Sequence, residues 1–204
     1  MPEKTVQKAP GKKPVPSKKP KPQQEVVVQI PLSALHPFPD HPFQVREDAS
    51  MQVTAERVKE YGVLVPALAR PREDGGYELI AGHRRKHACE LAGLATMPVI
   101  VRDIDRDAAT IIMVDSNLQR ENILPSERAK AYKMKMEAIK RQGARTDLTS
   151  PKISAKFRSD DEVGQDAGVR GDTIRNYIAL TQLVPELQQM VDEKKLALSP
   201  AYQL

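Results

Sequence analysis

Apolar and polar positions fall into two regimes along this 204-residue chain, divided near residue 120. Before it, short β-branched runs alternate with helical spacings. Val26-Val27-Val28-Gln29-Ile30, stopped by Pro31, predicts a strand, as do Tyr77-Glu78-Leu79-Ile80-Ala81 after the Gly75-Gly76 turn and Met97-Pro98-Val99-Ile100-Val101. Three prolines within His36–Phe43 forbid a helix and predict a stiff, extended loop. Ser50 is suited to cap a helix through about Tyr61, ended by Gly62, and Val63–Arg70 leads into a further strand. Gly82 to Leu91 predicts a helix closed by Gly93, with Ala88, Leu91 and Ala92 at helical spacing.

Past that divide only helices are expected. Residues 106–120 and 126–142 make two, parted at Leu124-Pro125, with Ser126 as cap and Glu127 in the first turn, where the helix dipole favours an acid. A polar stretch follows over 143–158. Asp160 to Leu180 then carries the residue types of a helix-turn-helix: Gly168 for the turn and Gly164 for close approach of the helices, though Gly164 weakens its own helix relative to Ala. Val163, Ala167, Val169, Ile174 and Tyr177 are expected to face inward. Arg170, Asp172, Thr173, Arg175 and Asn176 are expected on the solvent face, and Arg and Asn suit bidentate readout of guanine and adenine edges. An ordinary helical hairpin is the alternative.

Charge changes this picture less than the total suggests. The formal net charge is +5, but residues 1–22 hold seven lysines against Glu3, leaving 25 basic and 26 acidic residues in the rest of the chain. DNA binding therefore cannot be argued from overall basicity. Residues 1–23, rich in Lys and Pro, are expected to be a disordered tail. No run approaches the roughly 18 apolar residues of a membrane span, no apolar segment behind Met1 suggests a secretory signal, and the single Cys suits a reducing cytoplasm.

The sharpest candidate chemistry is Ala81-Gly82-His83-Arg84-Arg85 at a strand-to-helix junction. Free amides at a helix start cradle anions, and two arginines there oppose the helix dipole unless a phosphate offsets the cost. A second patch runs from Asp115 to Asn122. There Asn117 and Arg120 share a helical face, and Asp115 with Asn117 could help hold Mg²⁺. His83 and His87 lie four apart on one helix, but no third ligand is visible at useful spacing and Lys86 opposes a metal.

YELIAGHRRKHA, then NLQREN, then the helix-turn-helix, in this order, resemble the ParB family of chromosome and plasmid partition proteins over about Val26 to Leu204. The resemblance implies an α+β ParB/sulfiredoxin-like N-terminal domain over 24–122, followed by an all-α DNA-binding domain over 123–204 with its helix-turn-helix at 160–180. It further implies CTP and Mg²⁺ as ligands, a palindromic centromere-like duplex as target, and a homodimer closing on DNA as a clamp. A ParA-type ATPase partner and a cytoplasmic, nucleoid-associated setting belong to the same expectation. The family's phosphate box falls on Gly82, His83, Arg84, Arg85 and Ala88, its second box on Ser116, Asn117, Leu118, Gln119 and Arg120, and an early element on Gln44, Val45 and Arg46.

His83 and Ser116 stand where the family has Glu, and Val45 where it has Pro. Two carboxylates are thereby lost, which leaves CTP binding in place and sets CTP hydrolysis in question; these divergent boxes suggest a plasmid or mobile element. The chain stops inside what resembles a helix of the DNA domain, without the family's C-terminal dimerisation segment. A sulfiredoxin-type enzyme would need a reactive Cys where His83 stands, since Cys89 is six residues on. A kinase would need a carboxylate base near the phosphates. The remaining rival is a helix-turn-helix transcription regulator that uses no nucleotide.

Overall fold

The computed structural model describes residues 25–120, 122–147 and 159–201; the Lys- and Pro-rich segment 1–23 and most of 143–158 lie outside them. Five strands form one sheet: β1 (Val27–Pro31), β2 (Leu35–Pro37), β3 (Ala67–Pro71), β4 (Tyr77–Ala81) and β5 (Thr96–Val101), in the order β1-β5-β3-β4-β2. β1 runs antiparallel to β5 and β3 antiparallel to β4, whereas the β3–β5 and β2–β4 pairs are parallel.

Alternation along β4 sets the layers. Leu79 enters a core with Ile30, Met51, Val58, Cys89 and Met97, beneath α1 (Ala49–Tyr61) and α2 (His83–Leu91). Its neighbour Ile80 points to the other face, among Phe38, Phe43, Ala109 and Met113, where α3 (Arg106–Leu118) and α4 (Pro125–Asp147) cover the sheet. Successive strand residues face opposite sides, so one strand serves both cores.

Two caps differ from expectation. Asp48, not Ser50, caps α1, its carboxylate accepting from the Met51 N–H at 2.8 Å; an ionised oxygen at a helix start also satisfies the dipole, which a hydroxyl does not. Ser126 lies inside α4, because Pro125 occupies the first helical position. Its N–H and hydroxyl both donate to Asp192, at 2.9 and 2.6 Å.

α5 (Ser159–Ala167) and α6 (Gly171–Ala179) are joined by a short turn with Gly168 at φ 69°. A Cβ on Gly164 would stand 2.6 Å from the Val169 carbonyl oxygen, so only Gly permits that approach. Val163 and Ile174 are fully buried against Tyr132 of α4, while Val169, expected inside, is at the surface, where the turn carries it past the packed helices. α7 (Pro185–Asp192) and α8 (Leu198–Ala201) complete a third cluster with Ala129 and Leu180. α4 thus belongs to both halves: Ala131 packs towards the sheet, and Ala129 and Tyr132 towards the C-terminal helices. No helix among the described residues is long and apolar enough to cross a membrane.

Candidate functional site

Gly82 shapes the β4–α2 junction. It sits at φ 113°, and a Cβ there would stand 2.8 Å from the Ala67 Cβ, so this turn lies hard against β3 and frees the first amides of α2. Beside it opens a cleft of about 610 Å³, lined by Gln44, Arg46 and Asp48 from the Pro-rich loop, Ser50 and Arg84 from the starts of α1 and α2, and Gln119, Arg120, Asn122 and Glu127 from the α3–α4 connection. Four expected residues (Gln44, Arg46, Arg84 and Arg120) therefore meet there, from segments far apart in the chain.

The cleft holds three arginines against two carboxylates, Asp48 and Glu127. Arg84, opposed by the α2 dipole, donates to Ser50 Oγ at 3.3 Å and lies 3.8 Å from Asp48 Oδ1. Burial first, and the Arg84 guanidinium next, hold the pKa of Arg120 below its ordinary value. Glu127 is buried, and its two oxygens accept from the Gln44 and Leu124 N–H groups at 3.0 and 3.2 Å. This acid, read from sequence only as a dipole partner, ties the Gln44–Arg46 loop to α4. Its 83-residue separation from Gln44 leaves no local signal.

Other expected residues sit elsewhere. Arg85 points away from the cleft and donates to the carbonyls of Val65 and Pro66, each at 2.6 Å, holding the loop that enters β3. His83 turns inward against His41, ring centroids 3.9 Å apart, and its buried Nε2 has no partner among the described residues. Burial, with His41, Arg120 and Lys86 nearby, lowers its pKa to about 3, so it is a neutral, packed side chain behind the cleft lining. His87 instead faces Glu47 (3.1 Å) and Glu90 (3.4 Å).

The second patch divides likewise. Ser116 donates to the Met113 carbonyl (3.0 Å). Asn117 is buried, its Nδ2 donating to the same carbonyl at 2.7 Å while its Oδ1 has no partner among the described residues. Asp115 accepts from Lys135 Nζ at 2.6 Å and does not line the cleft. The two expected Mg²⁺ ligands are therefore not a pair of oxygens on the cleft, and no cluster of three His, Cys, Asp or Glu placed for a metal occurs among the described residues. A Mg²⁺ held by Asp115 and Asn117 does not fit this arrangement. Cys89 is fully buried and its thiol is pushed up by burial, the reverse of an activated nucleophile.

On α6, Arg170, Asp172 and Arg175 are exposed, and Thr173 and Asn176 half-buried. Arg175 is ion-paired to Asp172 on its own helix and to Asp160 at the start of α5. The face expected to meet DNA thus carries one of its two arginines already engaged by two carboxylates; the Asp172 contact is a helical i,i+3 pair, whereas Asp160 lies fifteen residues away.

Comparison with known proteins adds the following. The family model described as the ParB N-terminal domain matches residues 16–118. The chromosome-partitioning protein Spo0J of Thermus thermophilus is 34% identical over 171 residues, 83% of this chain and 56% of the relative. The C-terminally truncated chromosome-partitioning protein ParB of Caulobacter crescentus, solved in complex with the centromeric parS site, is 26% identical with a TM-score of 0.56, covering 86% of this chain and 82% of that one. A Pnob8-like ParB-N domain has a TM-score of 0.59 at 17% identity, covering 88% and 79%, a likeness of fold alone. The chain spans about half the length of the curated relatives it matches.

Proposed function

The chain belongs to the ParB N-terminal domain family, and from that premise we propose that it is a DNA-binding partition protein taking up CTP in the Arg46–Arg84–Arg120 cleft. One observation carries the reading: three guanidinium groups from three separate segments converge on one cleft at a glycine-turned helix start, outnumbering the carboxylates of Asp48 and Glu127. Clustered like charges oppose one another, and a polyphosphate is the ligand class that turns that cost into binding.

In this reading the α2 amides and Arg84 grip phosphate oxygens, Arg120 closes from the α3 end, and Arg46 with Gln44 comes from the loop that Glu127 anchors. Arg85 and His83 support the walls. Mg²⁺ would arrive with the phosphates, since it commonly keeps its waters and a phosphate bridge; no step is assigned to it. With His83 and Ser116 in place of two family carboxylates, the reading is one of CTP binding and assigns no hydrolytic step.

The α5–α6 pair supplies the DNA contact, with α6 presented to the major groove and Arg170, Thr173, Arg175 and Asn176 on its outer face. Binding of the C. crescentus relative to its centromeric site supports this assignment. A homodimer on a palindromic duplex, closing as a clamp and acting with a ParA-type ATPase at the nucleoid, completes the proposal, for a chromosome, plasmid or mobile element.

Calorimetry tests it. CTP, and neither ATP nor GTP, is expected to bind, and Arg84→Ala to remove that binding. Arg175→Ala and Asn176→Ala should weaken binding to a duplex enriched from a genomic-fragment pool while leaving CTP affinity intact; equal loss on random DNA would reduce them to phosphate contacts. No CTP binding with or without the enriched duplex would leave a nucleotide-independent regulator in its place.

A further inference from the structure

Lys135, midway along α4, is the largest fully buried side chain of the described residues, 1% exposed. A buried ammonium persists only with anionic partners. It has two, on different helices: Asp115 of α3, with Oδ1 at 2.6 Å, and Asp166 of α5, with Oδ2 at 2.8 Å. Burial alone would lower the pKa of Lys135, but hydrogen bonds to these two acids raise it overall, so the group stays charged.

Between the end of α3 and the end of α5 lies a cleft of about 510 Å³ that includes Leu118, Tyr132 and Val169 in its lining, with Asp115 and Asp166 on its walls. One ammonium thus joins the two helices, beside the apolar cluster in which Leu118 of α3 packs with Val163 and Ala167 of α5. Their positions make that link consequential. Asp115 begins the stretch that ends at Arg120 on the arginine cleft, and Asp166 immediately precedes Ala167, which leads through the Gly168 turn into α6. A shift of the last turn of α3 would pull one of its two carboxylate partners from Lys135.

Resting on the function proposed above, we propose that Lys135 is the positioning residue that couples occupancy of the arginine cleft to the placement of the α5–α6 pair. Coupling between two sites is reciprocal: DNA changes CTP affinity by the factor by which CTP changes DNA affinity.

The test measures CTP affinity by calorimetry with and without the duplex enriched as above, in the wild-type chain, in Lys135→Met and in Asp166→Asn. Asp166 is half exposed, so its variant keeps the fold if Lys135→Met does not. The wild type is expected to show at least about fivefold coupling. In each variant the factor falls to within about twofold of one, while CTP affinity without DNA and DNA affinity without CTP each move less than about threefold. Coupling of wild-type size in Asp166→Asn overturns the proposal, and so does collapse of the separate affinities, which would make Lys135 a packing residue only. If the wild type binds no CTP, the functional reading fails first. If it binds both ligands without mutual effect, this inference alone falls.

Discussion

Arg84 and Arg85 are neighbours in sequence and do different work. Successive helical residues point about 100° apart, which sends Arg84 over the cleft and Arg85 to the Val65 and Pro66 carbonyls. Arg84→Ala is expected to cut CTP affinity by at least about tenfold, with the melting temperature unchanged. Arg85→Ala is expected to lower folding stability by about 2 kcal/mol, read from chemical denaturation, because two charge-assisted bonds to the loop are lost. Its effect on CTP should be secondary. His83 gives a second prediction at this scale. Its pKa is about 3 in the fold and near 6.5 when unfolded, so below pH 6.5 the unfolded chain takes up a proton the native state refuses. Stability is fully present above pH 6.5 and declines as pH falls towards 3, with a slope approaching about 1.4 kcal/mol per unit from this group. His83→Gln should flatten the decline between pH 6.5 and 5, where few carboxylates titrate.

At the scale of elements, the α5–α6 pair depends on a missing methyl group. Gly164→Ala gains helix propensity of about 1 kcal/mol but drives a Cβ to 2.6 Å from the Val169 carbonyl, and backbone cannot yield cheaply. A net loss of about 2 kcal/mol and weakened DNA binding are expected, measured by urea denaturation and by titration with the enriched duplex. What was legible in the sequence follows the same division between local and distant causes. β4 and α2 fall where alternation and the Gly82 turn place them, and Gly168 takes the expected positive φ. Asp48 and Ser50 can each accept from the first free amides of α1, and only geometry chooses Asp48. Ser126 falls inside α4 behind Pro125, and its partner, Asp192, is 66 residues away, beyond any local signal. Within the site, convergence of Arg46, Arg84 and Arg120 was expected from box order, but the burial of Asn117 and the capture of Asp115 by Lys135 depend on how α3 lies against α4, which spacing cannot specify.

For the whole molecule, α4 decides what can fold separately. A cluster holding Phe38, Phe43 and Ile80 from the sheet side, Met113 from α3 and Ala131 from α4 runs across residue 122, where a domain boundary was expected. Cutting there would strip α4 from apolar side chains that are otherwise out of water. A fragment of residues 24–122 is expected to bind a hydrophobic dye and to lack a cooperative thermal transition, whereas one extended to 147 should bind the dye less and melt more sharply. The same continuity lets α4 sit between the arginine cleft and α6. One consequence lies at the far end, in the salt-bridged guanidinium of Arg175. Any duplex that recruits it must first outbid Asp160 and Asp172. Under the role proposed for α6, a duplex that offers Arg175 one passing phosphate is therefore expected to hold it less well than one that supplies two acceptors.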